Sequence, residues 1–166
     1  MKWVLLILLL LISGCIDKNV DETQNLRTNP NLKVKIVNLE FDSEYIIAGE
    51  KVIAKLEIAN LGNETIVNET VELKAKVKRL DDFLANLYLK TLSDEKKTQT
   101  FTIDFNVVIP PGKVETISAL FNTKREMHGK SLAGEYEITI NLYVNGEWTD
   151  SKVVPITLHP PRREKF

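Results

Sequence analysis

The chain has 166 residues, 43% hydrophobic and 27% charged, with a formal net charge of −1 at pH 7. That length fits one globular domain, and so even a charge balance offers no sequence-independent attraction for nucleic acid. The only cysteine is Cys15, which excludes an intramolecular disulfide, so the fold must rest on core packing.

Met1-Lys2 is a short positive start, and Trp3 to Ile12 is an unbroken apolar run of ten residues. As a helix such a run rises about 15 Å, half of a bilayer core of about 30 Å. It is too short to span unaided and reads as the apolar part of a signal peptide. Ile12-Ser13-Gly14-Cys15 resembles the lipobox of prokaryotic lipoproteins: an aliphatic residue, two small ones, then cysteine. The resemblance implies a signal peptide over 1–14 and a lipid on Cys15. The rest of the chain is then extracytoplasmic and anchored to the cell membrane. The plainer alternative is an uncleaved anchor with an idle thiol, and it leaves the domain on the same side. Residues 15–31 are polar and aperiodic, with Pro30 near the end, and read as a flexible tether. About sixteen such residues reach 20–25 Å on average.

From Leu32 the pattern has period two. Leu32, Val34 and Ile36 alternate with lysines, then Val37, Leu39 and Phe41 continue on the other parity, which predicts a bulge or a change of sheet. Ala48-Gly49-Glu50 is a turn. Lys51 to Asn60 is the clearest strand, and Asn60-Leu61-Gly62-Asn63 turns the chain. Val71 to Val77 alternates next, then Phe101 to Ile109, which Pro110-Pro111-Gly112 stops. Val114 to Phe121 follows, with Ile117, Ala119 and Phe121 expected inward. Tyr136 to Val144 and Trp148 to Leu158 flank Asn145-Gly146, a hairpin signal, and Pro155 points to an edge strand. The expectation is an all-β fold: a seven-stranded antiparallel immunoglobulin-like β-sandwich over residues 32–159, with a basic tail at 160–166.

One segment departs from this pattern. Over Asp81 to Ser93, Phe83, Leu84, Leu87 and Tyr88 recur at helical spacing, with Asp81 placed as an N-cap. This predicts a short helix inserted between the third and fourth strands. Its ordinary role would be to cap the core. Its functional role would be to dock a partner through Phe83, Leu84, Leu87 and Tyr88. The segment Phe121 to Leu132 is a second long connection where binding would be expected.

The turn motifs Gly49-Glu50, Asn60-Leu61-Gly62, Pro111-Gly112 and Gly134-Glu135-Tyr136 stand in an order that resembles the cell-adhesion-related domain of bacteria and archaea, CARDB. The resemblance covers about residues 34–158. It implies a sandwich in an extracytoplasmic, archaeal or other prokaryotic lipoprotein, and it carries no catalytic residues.

Two sequons, Asn63-Glu64-Thr65 and Asn68-Glu69-Thr70, mark Asn63 and Asn68 as candidate glycosylation sites on an exported chain; otherwise they are a polar turn. His128 and His159 have no ligand partners at metal spacing, and neither a metal nor another cofactor is expected. Ser118, Ser131 and Ser151 lack a nucleophile-elbow context. The reading is therefore a membrane-tethered binding or adhesion module, not an enzyme, with an unknown protein or glycan partner. The alternative is an accessory subunit of a membrane or envelope complex docking through 81–93, and a hydrolase comes last.

Overall fold

A computed structural model describes residues 33–161. The expected signal peptide, Cys15 and the expected tether, and tail residues 162–166 lie outside the described residues. The described chain is mostly β, with one short helix.

Ten strands form. Seven are long: β1 (Val34–Phe41), β3 (Lys51–Asn60), β4 (Glu69–Leu80), β5 (Thr98–Phe105), β6 (Val114–Asn122), β9 (Gly134–Val144) and β10 (Glu147–His159). They correspond to the seven runs of alternating hydrophobicity. Three more are dipeptides: β2 (Ile46–Ile47), β7 (Glu126–Met127) and β8 (Lys130–Ser131). The expected count of seven is thus corrected to ten, because a two-residue strand is too short to carry a period.

One sheet has the order β1-β3-β6 and the other β2-β10-β9-β4-β5, while β7 and β8 form a small hairpin. Pairing is antiparallel except β2 against β10, which is parallel over two residues. The expected bulge in β1 is present: register shifts between Ile36 and Asn38, so Val37 is the extra residue. Pro155 lies where the outer side of β10 is unpaired, since β2 reaches only Leu158 and His159. A missing N–H costs nothing there.

Alternate residues of both sheets meet in a main core, beside a smaller cluster of Ile46, Ala48, Val52 and Leu158. Val34, Ile36, Leu56, Ile58 and Ile117 from the first face Val71, Ile138, Ile140, Leu142 and Val144 from the second. The run ending at Ile109 is shorter than its alternation predicts. β5 stops at Phe105, and Ile109 instead forms an isolated bridge with Ile66. Both isoleucines are fully buried, so the alternation is real but serves a different neighbour.

Tyr136, near the start of β9, donates its hydroxyl to the Leu132 carbonyl at 2.7 Å. Burial, with Asp81 adding a smaller part, pushes its phenol up to about 12 from 10.0. The fold therefore favours the neutral ring, and the unfolded chain loses this proton first. The Tyr136 contribution to stability is complete below about pH 10, and about 3 kcal/mol is lost as pH rises through about 12. Urea midpoints between pH 9 and 12 should fall more steeply in the wild type than in Tyr136→Phe. Parallel slopes would remove Tyr136 as the cause.

Candidate functional site

The strands define two ends. At one end lie Lys33, the first described residue, the 61–68 loop and the Asn145-Gly146 turn. Leu61 donates its N–H to the Lys33 carbonyl at 2.7 Å and Asn145 to that of Asn68 at 3.2 Å. At the other end lie the β4–β5 connection, the β6–β9 connection and the end of β10. β4 alone has twelve residues, so the ends are about 40 Å apart.

Both connections singled out in the sequence converge on the second end. Asp81 donates its N–H to the Ala133 carbonyl at 3.0 Å, and Lys130 Nζ lies 3.8 Å from Asp82 Oδ2. The helix, α1 (Phe83–Leu89), is shorter than the 81–93 segment, and its N-cap is Asp82, whose Oδ1 accepts from the Ala85 N–H at 2.9 Å. The expected cap, Asp81, has its backbone N–H committed to Ala133, so the chain turns into the helix one residue later.

The expectation that this helix caps the core is also corrected. Within α1 only Leu89 is buried. Phe83 is 77% exposed, Leu84 59%, Leu87 54% and Tyr88 58%. Spaced i, i+1, i+4 and i+5, they share one face of the helix. Beside α1, the β7–β8 hairpin exposes Met127 and turns at His128-Gly129, both at positive φ. Tyr45 stacks on His159 at 3.8 Å on the same end.

Beneath α1 lies a pocket of ≈ 240 Å³ lined by Lys78, Arg79, Asn86, Leu89, Lys90 and Lys97. A register shift between Val77 and Arg79 creates a bulge that places Lys78 beside Arg79. Arg79 donates to Glu135 at 2.8 Å, and that hydrogen bond holds the Glu135 carboxyl below its usual range. Lys78 pairs with Glu137 at 3.3 Å. Asp94 serves two lysines: Lys76 at 2.6 Å, whose hydrogen bond lowers the Asp94 carboxyl, and Lys97 at 3.9 Å. Sequence reading missed this pocket. Its signal was the parity change from Val77 to Leu80, which marks the bulge.

The apolar cavity between the sheets, walled by Leu39, Leu73, Phe105 and Phe121, measures only ≈ 30 Å³, room for a water or two. The Lys33 end holds two buried polar side chains, Asn60 and Glu69. Glu69 Oε2 accepts from the Val107 N–H at 3.1 Å, while its Oε1 has no partner among the described residues. Asn63 and Asn68, the two sequon asparagines, are both exposed on this end, far from α1.

No family model matches the chain, and no curated protein does. Among solved structures, the C-terminal domain of wzt is similar at a TM-score of 0.52 with 9% identity, over 80% of this chain and 76% of that one. That likeness is one of fold alone. An alkylpurine DNA glycosylase, AlkC of Pseudomonas fluorescens, bound to DNA with an abasic-site analog, reaches a TM-score of 0.49 with 16% identity over 76% of this chain. A β-glucosidase, EmGH1 of Erythrobacter marinus, reaches 0.48 with 14% identity over 77%. This chain spans 30% of the former and 16% of the latter.

Proposed function

We propose that the protein is a membrane-tethered, extracytoplasmic immunoglobulin-like module that docks a protein partner of the membrane or envelope through α1. The observation that carries this reading is the exposure of Phe83, Leu84, Leu87 and Tyr88 on one helix face. Four large apolar side chains held in water cost free energy that a core-capping helix would recover, and a partner surface recovers it instead. The face lies at the end remote from Lys33, and a flexible tether through Cys15 would leave it free to meet a neighbour. An exposed apolar stripe on the insert favours the accessory-subunit reading over a general adhesion module. As an immunoglobulin-like domain, the chain has its long strands in the order first-second-fifth and seventh-sixth-third-fourth. The Tyr136 bond back to Leu132, at the start of the sixth long strand, supports that reading as well. The fourth long strand pairs with the third, unlike the constant-type arrangement.

The test is cross-linking on intact cells with wild type and the Leu84→Asp, Leu87→Asp variant. Both positions are exposed, so thermal unfolding should be unchanged within about 0.5 kcal/mol. One stoichiometric membrane partner, lost in the variant, is the expected result. Scattered neighbours that persist in the variant would sink the docking reading and return the protein to the adhesion class.

A further inference from the structure

We propose that the pocket beneath α1 binds an oxyanion, a phosphate or sulfate group, either free or carried on a larger ligand. The site lies on the inner side of the helix whose outer face is exposed, and it does not depend on that face docking anything. Its walls come from three elements. The β4 bulge supplies Lys78 and Arg79, α1 and its C-cap supply Asn86 and Lys90, and the 3-10 turn Glu95–Lys97 supplies Lys97.

The charge count around the pocket leaves a positive excess. Glu135 at 2.8 Å and Asp81 at 3.9 Å answer Arg79, and Glu137 answers Lys78. Asp94 is shared by Lys76 and Lys97, and it sits 2.6 Å from the first against 3.9 Å from the second. Lys90, on the α1 wall, is thus unpaired among the described residues, and Lys97, on the wall from the 3-10 turn, is only distantly paired. The Asn86 amide lines the same pocket. Its Oδ1 accepts from the Leu80 N–H at 3.2 Å, which fixes the plane of the group, while its Nδ2 donates to no described acceptor. Two cations and an oriented N–H donor match the acceptor oxygens of a tetrahedral anion. A cavity of ≈ 240 Å³ also leaves space for part of the alcohol or sugar that carries the group.

A basic track leads into the site. Lys74, Lys76 and Lys78 follow at every second residue of β4 and therefore share its outer face. A polymer bearing several such groups would run along this track, whereas a free anion would use only the pocket. Each lysine of the track has a carboxylate beside it, Glu72 at 3.1 Å, Asp94 at 2.6 Å and Glu137 at 3.3 Å, so a polymer would take the track by exchanging these surface pairs for its own anions.

The test is titration of the folded domain with inorganic phosphate at constant ionic strength, followed by amide chemical shifts. Saturable shifts at Asn86, Lys90 and Lys97 are expected, with a dissociation constant of about a millimolar. In the Lys90→Gln, Lys97→Gln variant the affinity should fall about tenfold or more, with unchanged thermal unfolding. Lys124→Gln, at the same end but outside the pocket, should bind as wild type does. Linear polyphosphate distinguishes the source. Tighter binding per phosphate, lost on Lys74→Gln and Lys76→Gln, assigns the site to a polymer-borne group. Equal affinity assigns it to the free anion. Absence of saturation up to about 100 mM phosphate, or identical shifts in the double variant, would overturn the proposal.

Discussion

Replacing Asn60 by Asp is expected to remove most of the domain's stability at neutral pH. Asn60 ends β3 and is 1% exposed. Its Nδ2 donates to the carbonyls of Glu64 at 2.7 Å and Ile109 at 2.8 Å, and its Oδ1 accepts from the Gly62 N–H at 3.0 Å. Its backbone adds two more ties, to Lys113 at 2.9 Å and from Gly112 at 2.8 Å. One side chain therefore organises both the 61–64 turn and the chain entering the Pro110–Pro111 turn. An aspartate side chain keeps the acceptor for Gly62 but turns two donors into a buried oxygen facing two carbonyls. Each stranded group costs about 1–3 kcal/mol, and a buried charge adds to that. The sum, about 4 kcal/mol or more, is comparable with the roughly 5–15 kcal/mol that holds a domain of this size together. Protonating the new carboxyl restores one donor, so the penalty of Asn60→Asp should be smaller at pH 4 than at pH 7. Asn60→Ala loses all three bonds at either pH and should show no such difference. Urea midpoints for the three proteins at both pH values decide the matter. Wild-type midpoints for Asn60→Asp at pH 7 would mean that this end is not held by the side chain.

The ease of reading this fold from sequence follows from how its strands are buried. A sheet with one dry face writes alternation into its strands, so Lys51–Asn60 could be placed to the residue and the Val37 bulge could be seen as a change of parity. Asn145, at φ 52, and Gly146, at φ 80, suit the two-residue hairpin that their identity announces. What resisted reading depends on contacts distant in sequence. Ile109 continues the alternation of β5, yet it pairs with Ile66 across a different connection. Glu69 has the inward parity of Val71 and is wholly buried, a position that polarity alone assigns to solvent. Asp81 looks like a cap until Ala133, far along the chain, takes its N–H. The candidate site divides the same way. The apolar stripe of α1 is visible as spacing, while its exposure is a property of what stands behind it. Leu89 is the residue by which α1 turns inward, and Phe83, Leu84, Leu87 and Tyr88 stay exposed on the face away from it. The pocket residues Lys78, Arg79, Lys90 and Lys97 come from three elements and have no common spacing that a sequence pattern could reveal.

Gly134→Ala is expected to be the second severe substitution, and it probes the joint that positions the pocket. Gly134 opens β9, pairs with Leu80 on one side and Leu158 on the other, and has φ 154. A Cβ there would penetrate the Arg79 carbonyl oxygen and lie 2.8 Å from the Leu80 Cα. Both obstacles are backbone, so no side-chain rotation relieves them. β4 must shift at its bulge, or β9 must leave it. The expected loss is about 3 kcal/mol or more, about 10 °C in Tm for a domain of this size. Gly146→Ala is the matched control. Its φ is also positive, at 80, but a Cβ there meets nothing within 4 Å. It should cost only the conformational preference of glycine, about 1 kcal/mol. The difference between the two variants therefore measures the close approach itself, separated from backbone strain. If Gly134→Ala still folds, relief must come from moving Arg79 and Leu80. The 2.8 Å pair between Arg79 and Glu135 would then loosen together with the wall beneath α1. A rise in the pH at which Glu135 titrates would report that movement, because the hydrogen bond from Arg79 is what depresses it. Equal melting temperatures for the two alanine variants would show that β4 and β9 do not approach each other closely at this joint.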